Sequence, residues 1–180
     1  MKYNNHRKSQ SKIIWFTGIS GVGKTTLSNA LYKKLKKKYK VKKIDGDIFR
    51  KKNKIKKIFT KKNIILNNIK IIKFISKTLN KYDFILVSVI SPLEKTRLYA
   101  KKKFNKLYYE VCVKCNFQTL NKRDTKGLYY KANLGKLKLI GYNSKIKYEK
   151  SNYKVLTINT GNLSLKKSLK KIIDSIKIEI

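Results

Sequence analysis

The residues Gly18-Ile-Ser-Gly-Val-Gly-Lys-Thr25 satisfy the spacing G-x-x-x-x-G-K-[ST]. Glycines at these positions let successive backbone N–H groups close around phosphate oxygens at the positive end of a helix. Lys24 is then placed to reach the β- and γ-phosphates of a nucleoside triphosphate, and the Thr25 hydroxyl to coordinate Mg²⁺. Gly18, Ile19, Ser20, Gly21, Val22, Gly23, Lys24, Thr25 and Thr26 are therefore the expected cradle for ATP. A chance Gly/Ser-rich turn could carry the same letters. The context argues against it, because an apolar run precedes the pattern and a helical pattern follows it.

A second group lies in "IDGDIFR". Asp45 and Asp47 stand at the end of a strand-like run, where side chains of a parallel sheet point into the ligand crevice. Two carboxylates there can hold a metal-linked water and accept a proton from an attacking hydroxyl. Arg50 has the fork geometry to bind an anion through two bonds. Taken alone, the same letters would also make a solvated Asp-Gly turn beside a surface charge. Further on, "FILVSVISP" brings Ser88 and Ser91 to another strand end, where a serine is often no more than a polar stop.

The elements that must position these residues alternate. "KIIWFTG" reads as a buried strand, and Leu27, Ala30, Leu31 and Leu35 follow at helical spacing. "YKVKKID" is a second strand. Ile65, Ile69, Ile72, Ile75 and Leu79 form a helical stripe within 61–79. "DFILVSVIS" is a strongly apolar strand, 94–103 a short helix, "LYYEVCV" and 153–158 two more strands, and 165–176 a closing amphipathic helix. Such alternation implies an α/β fold of three layers, a parallel sheet of about five strands between helices. The expected organisation is a basic tail at 1–12 and one domain over 13–180. The polar, glycine-spaced stretch 123–148 shows no strand pattern and is expected to be a lid.

Composition bounds the partners. The chain has 180 residues, 47 Lys and Arg, nine Asp and Glu, and a formal net charge of +38. That charge points toward a polyanion. However, the abundance of Lys, Asn, Ile and Tyr also matches A/T-rich coding, and the lysines are spread along the chain rather than gathered in an arm. Only "KKLKKKYKVKK" approaches a block. No apolar core of a secretory signal follows the basic start, and no run is long enough to span a membrane. Cys112 and Cys115 lack a second pair of metal ligands nearby, and on a strand they would face opposite ways. They are expected to be reduced, structural cysteines of a cytoplasmic protein.

The ordered segments "WFTGISGVGKTT", "IDGDIFR", "FILVSVISP", "YYEVCVKC" and "KRDTKGLYYKANLGKLK" resemble the adenylylsulfate kinase family over about residues 13–160. The phosphate loop alone is unspecific. The run R-D-x-K-G-L-Y-x-K-A after a strand, with D-G-D-x-x-R upstream, is much more so. The resemblance implies a P-loop fold and transfer of the γ-phosphate of ATP to the 3′-hydroxyl of adenosine 5′-phosphosulfate, in sulfate activation. It places Lys24 and Thr25 on ATP and Mg²⁺, and Asp45 and Asp47 near metal and acceptor hydroxyl, with Asp47 as general base. Arg50 would hold the acceptor's phosphosulfate with Asn67 nearby. Ser91 matches the serine before proline that this family has been proposed to phosphorylate, although in-line transfer between two bound substrates suffices chemically. Arg123 would pack on the ATP base, and Asp124, Lys126 and Gly127 would open the lid over the nucleotides. A homodimer is a further expectation.

The departures from the family pattern fall on the acceptor side. Where the family reads F-S-x-x-D-R-x-x-N-x-R-R, this chain has Asn63-Ile64 for Asp-Arg and Ile69-Lys70 for Arg-Arg. Leu139 occupies the position of a phenylalanine that stacks on the acceptor's adenine. Tyr142-Asn143-Ser144, with two apparent extra residues after it, replaces Ile-Asp-Ser. Losing one charged hydrogen bond to the acceptor costs about ten- to a hundredfold in binding. Two alternatives therefore stand beside the family activity. One is a sibling kinase acting on another nucleotide-linked anion, such as a cytidine diphosphoramidate. The other is a basic nucleic-acid-binding protein with a vestigial phosphate loop, although no nucleic-acid recognition motif is visible.

Overall fold

The computed structural model describes residues 11–54 and 60–179. Most of the expected basic tail, with His6 and Arg7, lies outside them. Five strands form one sheet in the order β2-β3-β1-β4-β5. They are β1 (Lys12–Thr17), β2 (Val41–Asp45), β3 (Phe84–Ser88), β4 (Tyr108–Lys114) and β5 (Leu156–Asn159), and every pairing is parallel. The first strand begins one residue inside the expected tail, and the Ser11 hydroxyl already donates to the Tyr82 carbonyl at 2.6 Å.

Alternation along β1 shows why the strand is apolar throughout. Ile14 and Phe16 point into one core with helix α1 (Lys24–Leu35) and helix α7 (Leu165–Ile176). Ile13 and Trp15 point into the other, with helix α3 (Lys61–Thr78) and helix α4 (Glu94–Phe104). All four are fully buried. Each such side chain contributes about 1.5–3 kcal/mol by leaving water. Covering both faces is what a parallel sheet requires.

Three helices appear that the sequence pattern did not suggest. Helix α2 (Gly46–Lys52) begins where a turn was a reasonable reading of Asp-Gly-Asp. Asp45 caps it, accepting from the backbone N–H of Asp47 at 2.9 Å and of Ile48 at 3.3 Å. Helix α5 (Phe117–Arg123) leads into the lid, capped by Asn116, and helix α6 (Leu128–Asn133) lies within it. Asp124 caps α6 through Leu128 and Tyr130, both at 2.8 Å. These helices are too short to show a 3.6-residue apolar period, so only their caps mark them.

Helix α3 spans almost the expected residues and buries Ile72 and Ile75 as expected, but its buried face is turned from the expected stripe toward Ile64, Asn67, Asn68 and Ile71. Ile64, Asn67, Asn68, Ile71, Ile72 and Ile75 are buried, whereas Ile65 and Ile69 are half-buried. The isoleucine content supports two overlapping stripes, and the structure buries the one that includes two asparagines.

Candidate active site

The order of strands reverses about β1, so a crevice opens at the carboxyl ends of β1 and its neighbours, the position ligands take in open α/β sheets. A cavity of about 800 Å³ occupies it. Its lining draws on the phosphate loop, the Asp45–Arg50 segment, the end of β3 and the start of the lid, including Lys24, Thr25, Asp45, Asp47, Arg50, Asn67, Ser88, Ser91, Arg123 and Lys126.

The phosphate loop joins β1 to α1. Gly18 cannot be another residue: its φ is +140°, and a Cβ there would sit 2.2 Å from the Val113 carbonyl oxygen. The Lys24 ammonium folds over the loop, donating to the carbonyls of Gly18 at 2.8 Å and Ile19 at 2.7 Å. Burial pushes its pKa down to about 8, against the opposing pull of the Asp47 and Asp45 carboxylates. Thr25 donates to Asp45 Oδ2 at 3.2 Å, while Asp45 Oδ1 serves as the cap of α2. The end of β2 is thereby tied to the first turn of α1, with two side-chain oxygens that could serve a hard cation together at the cavity wall.

Asp47, in the first turn of α2, keeps 71% of its side chain exposed. Arg50 Nη2 pairs with its Oδ1. The arginine expected to hold an anion thus also orients the carboxylate expected to take a proton.

Also in the cavity lining, Asn67 is 4% exposed and its Oδ1 has no hydrogen-bond partner. The Ser88 hydroxyl is likewise buried and unpartnered. Leaving a buried polar atom unpaired is costly, so both mark places where a ligand donor or water fits. Ser91 differs. Its hydroxyl is 1% exposed and donates to Asn68 Oδ1 at 2.5 Å. Its φ of +45° is a strained conformation for a residue with a Cβ, costing about 1–3 kcal/mol. The strain is held by Arg97, which donates from Nη1 to the Ser91 carbonyl at 2.6 Å.

Two expected site residues, Leu139 and Gly127, stand apart from the cavity. Leu139 packs into the core with α1 and α7, whereas the adjacent Ile140 lines the cavity beside Ile64. Asn143 sets this phase: its Oδ1 accepts from the Leu139 N–H at 2.7 Å, and its Nδ2 donates to the Ala132 and Leu137 carbonyls, both at 3.0 Å. Gly127 lies outside the main cavity, in the left-handed cap of α6. Arg123, at the cavity edge, donates to the Thr160 carbonyl at 3.0 Å.

Sequence reading passed over Arg97, the largest polar side chain of the interior. It is fully buried with Glu110, Nε to Oε1 at 3.2 Å, and Glu110 also accepts from Ser151 at 2.7 Å and Tyr153 at 2.5 Å. The scarcity of arginine was its one signal; the pairing with Glu110 joins residues of α4 and β4 that no local spacing connects. Cys112 and Cys115 are both free thiols, the first buried and the second half-buried.

The adenylylsulphate kinase family matches residues 10–159. A probable adenylyl-sulfate kinase of Archaeoglobus fulgidus is 40% identical over 129 residues, covering 71% of this chain and 83% of the relative. An adenylyl-sulfate kinase of Bacillus pumilus is 33% identical over 178 residues, 97% of this chain and 87% of the relative. The structure of the Mycobacterium tuberculosis APS kinase CysC, in complex with AMPPNP and APS, aligns with a TM-score of 0.82 at 25% identity, covering 93% of this chain and 98% of that one. On sequence and fold together, the chain belongs to the adenylylsulphate kinase family.

Proposed function

We propose that this protein transfers the γ-phosphate of ATP to the 3′-hydroxyl of adenosine 5′-phosphosulfate. One observation carries the reading: a single cavity is lined both by the phosphate loop and by the Asp45, Asp47 and Arg50 group. Donor and acceptor chemistry therefore share one enclosed space. The loop N–H groups and Lys24 hold the triphosphate. Asp47, exposed at the wall, accepts the proton of the attacking hydroxyl, with Arg50 fixing its orientation. Arg50 and Asn67 meet the acceptor's anionic end, and Arg123 and Lys126 cover the nucleotides from the lid. Ser91 needs no covalent role, since its hydroxyl is already committed to Asn68.

Mg²⁺ fits this site. Thr25 Oγ1 and Asp45 Oδ2, 3.2 Å apart, are hard oxygen ligands, and Mg²⁺ usually takes one or two protein ligands beside substrate phosphates. Bound there, the ion would neutralise charge on the β- and γ-phosphates. The reading also assigns the enzyme to sulfate activation in the cytoplasm, acting as a homodimer. Among the described residues no helix is long and apolar enough to cross a membrane.

The test is ADP release with ATP and Mg²⁺, with and without adenylylsulfate, the product being identified by mass. Acceptor-dependent ADP with a 3′-phosphorylated product is expected, and Asp47→Asn should lower that turnover by about 10²–10⁴-fold. ATP binding without acceptor-dependent turnover would favour the sibling reading, a kinase for another nucleotide-linked anion. The apolar contact of Ile64 with Ile140 on the acceptor wall is the observation that supports it.

A further inference from the structure

The lid is one plate. Tyr142 joins its two arms, packing on the Tyr129 ring at 5.2 Å and donating to Asn133 Oδ1 at 2.6 Å, and Asn143 bonds across to Ala132. Two tyrosine hydroxyls fasten this plate to the phosphate-loop region at different points. Tyr129, 2% exposed, donates to the Ser20 carbonyl inside the loop at 2.7 Å. Tyr148, at the other end, shares a hydrogen bond with Thr17 Oγ1 at 2.8 Å, immediately before the loop.

The arms they fasten face different parts of the cavity. The arm of Tyr129 carries Arg123, Lys126 and Leu128 over Ser20 and Gly21. The arm of Tyr148 carries Ile140, which lies with Ile64 and Leu93 in one apolar cluster. That second attachment is deeply set. The Arg97 guanidinium lies 5.1 Å from the Tyr148 ring, and Arg97 Nη2 holds the lid's exit, donating to the Glu149 carbonyl at 2.6 Å and to Ser151 Oγ at 3.2 Å. The Glu149 N–H donates to the Pro92 carbonyl at 2.8 Å, next to Ser91. Gly141 lets this arm lie against the loop: its φ is +75°, and a Cβ would come 2.6 Å from Ile19 Cγ2.

We propose that Tyr129 and Tyr148 are two separate latches, the first positioning the lid over the donor and the second positioning it over the acceptor. Because the plate is internally cross-bonded, releasing one latch tilts it about the other and loosens one substrate's half of the cavity. Both hydroxyls act through the lid and take no part in the chemistry. The assignment of halves rests on the proposed two-substrate reaction.

Tyr129→Phe and Tyr148→Phe keep the rings and remove one hydroxyl each. Binding of a non-hydrolysable ATP analogue is measured by calorimetry, the KM for adenylylsulfate by ADP release, and lid exposure by hydrogen exchange. Tyr129→Phe should weaken the analogue about fivefold, leave the acceptor KM within about twofold, and speed exchange over 128–133. Tyr148→Phe should raise the acceptor KM about fivefold, leave analogue binding within about twofold, and speed exchange over 139–149. A general loss of stability would move both constants together in both variants, and that result overturns the proposal. Exchange and analogue binding need no acceptor. If the wild-type protein fails to turn over adenylylsulfate, a Tyr148→Phe variant that weakens the analogue as much as Tyr129→Phe still overturns the latches, and the opposite pattern still supports them.

Discussion

On the proposed donor side of the cavity the groups that would bind are mostly backbone. The loop presents N–H groups because Gly18 can approach Val113 and because Lys24 and Thr25 open α1. On the proposed acceptor side the lining is side chains, standing on α2, α3 and the lid: Arg50, Asn63, Ile64, Asn67, Ile140. The two sides respond differently to a composition swollen with Lys, Asn and Ile. A backbone cradle asks for a few glycines, one lysine and one threonine, which such a composition still supplies. A side-chain pocket asks for particular heads, and arginine is the one that has become scarce. The departures from the family pattern at Asn63, Ile64 and Ile69 follow that division.

The comparison is sharpest where a single group serves one side. Lys24→Met removes the side-chain charge folded over the loop carbonyls and should lower kcat/KM by about a hundred- to a thousandfold, the scale of losing one preorganised charge from an enclosed site. Steady-state kinetics at saturating acceptor would check it. A loss below about tenfold would mean that the backbone cradle carries the donor alone.

A smaller change probes the other side. Ile64, where the family pattern has arginine, lies in the cavity wall with Ile140 and packs in one apolar cluster with it, Leu93 and Ile146. Ile64→Arg should lower the KM for adenylylsulfate about tenfold and leave the KM for ATP unchanged. An unchanged acceptor KM would show that Arg50 alone meets the anion, and that the apolar wall is a working surface for a different acceptor.

How far the sequence reached follows the same division. The sheet, its parallel sense and the phosphate loop were legible, because buried strands and a loop of fixed spacing are local patterns. The face of α3 was not. Isoleucines recur so often that one stripe through Ile65 and Ile69 and another through Ile64 and Ile71 are equally regular. The choice is made at a distance, by Ser91 donating to Asn68 and by Asn67 at the cavity. The lid shows the same limit. Whether Leu139 or Ile140 faces the cavity depends on Asn143 folding back to the Leu139 N–H. Arg97 and Glu110 are joined only by the tertiary fold. Their burial is a cost that the four partners of Glu110 and the carbonyls of Ser91 and Glu149 offset.

The smallest effect expected is a dependence on pH that belongs to the donor side alone. The Lys24 pKa is lowered from its ordinary value of 10.5 to about 8, chiefly by burial. Below pH 8 the ammonium is charged in both folded and unfolded chains, and the fold bears the full cost of holding it. Between about 8 and 10.5 the unfolded chain binds a proton that the folded chain has released, so this group's contribution to stability rises with pH. Nucleotide binding has the opposite sign. A triphosphate against the ammonium favours the charged form, so above pH 8 binding must take up a proton and affinity falls. From pH 7 to 9 the loss should reach about tenfold for an ATP analogue, with proton uptake visible as a buffer-dependent heat in calorimetry. Lys24→Arg, which cannot lose its charge in this range, should flatten the profile. If the effect belongs to the loop lysine, acceptor affinity at saturating donor should stay level over the same range. A parallel decline of both constants would place the titration outside the phosphate loop and break the separation of the two sides.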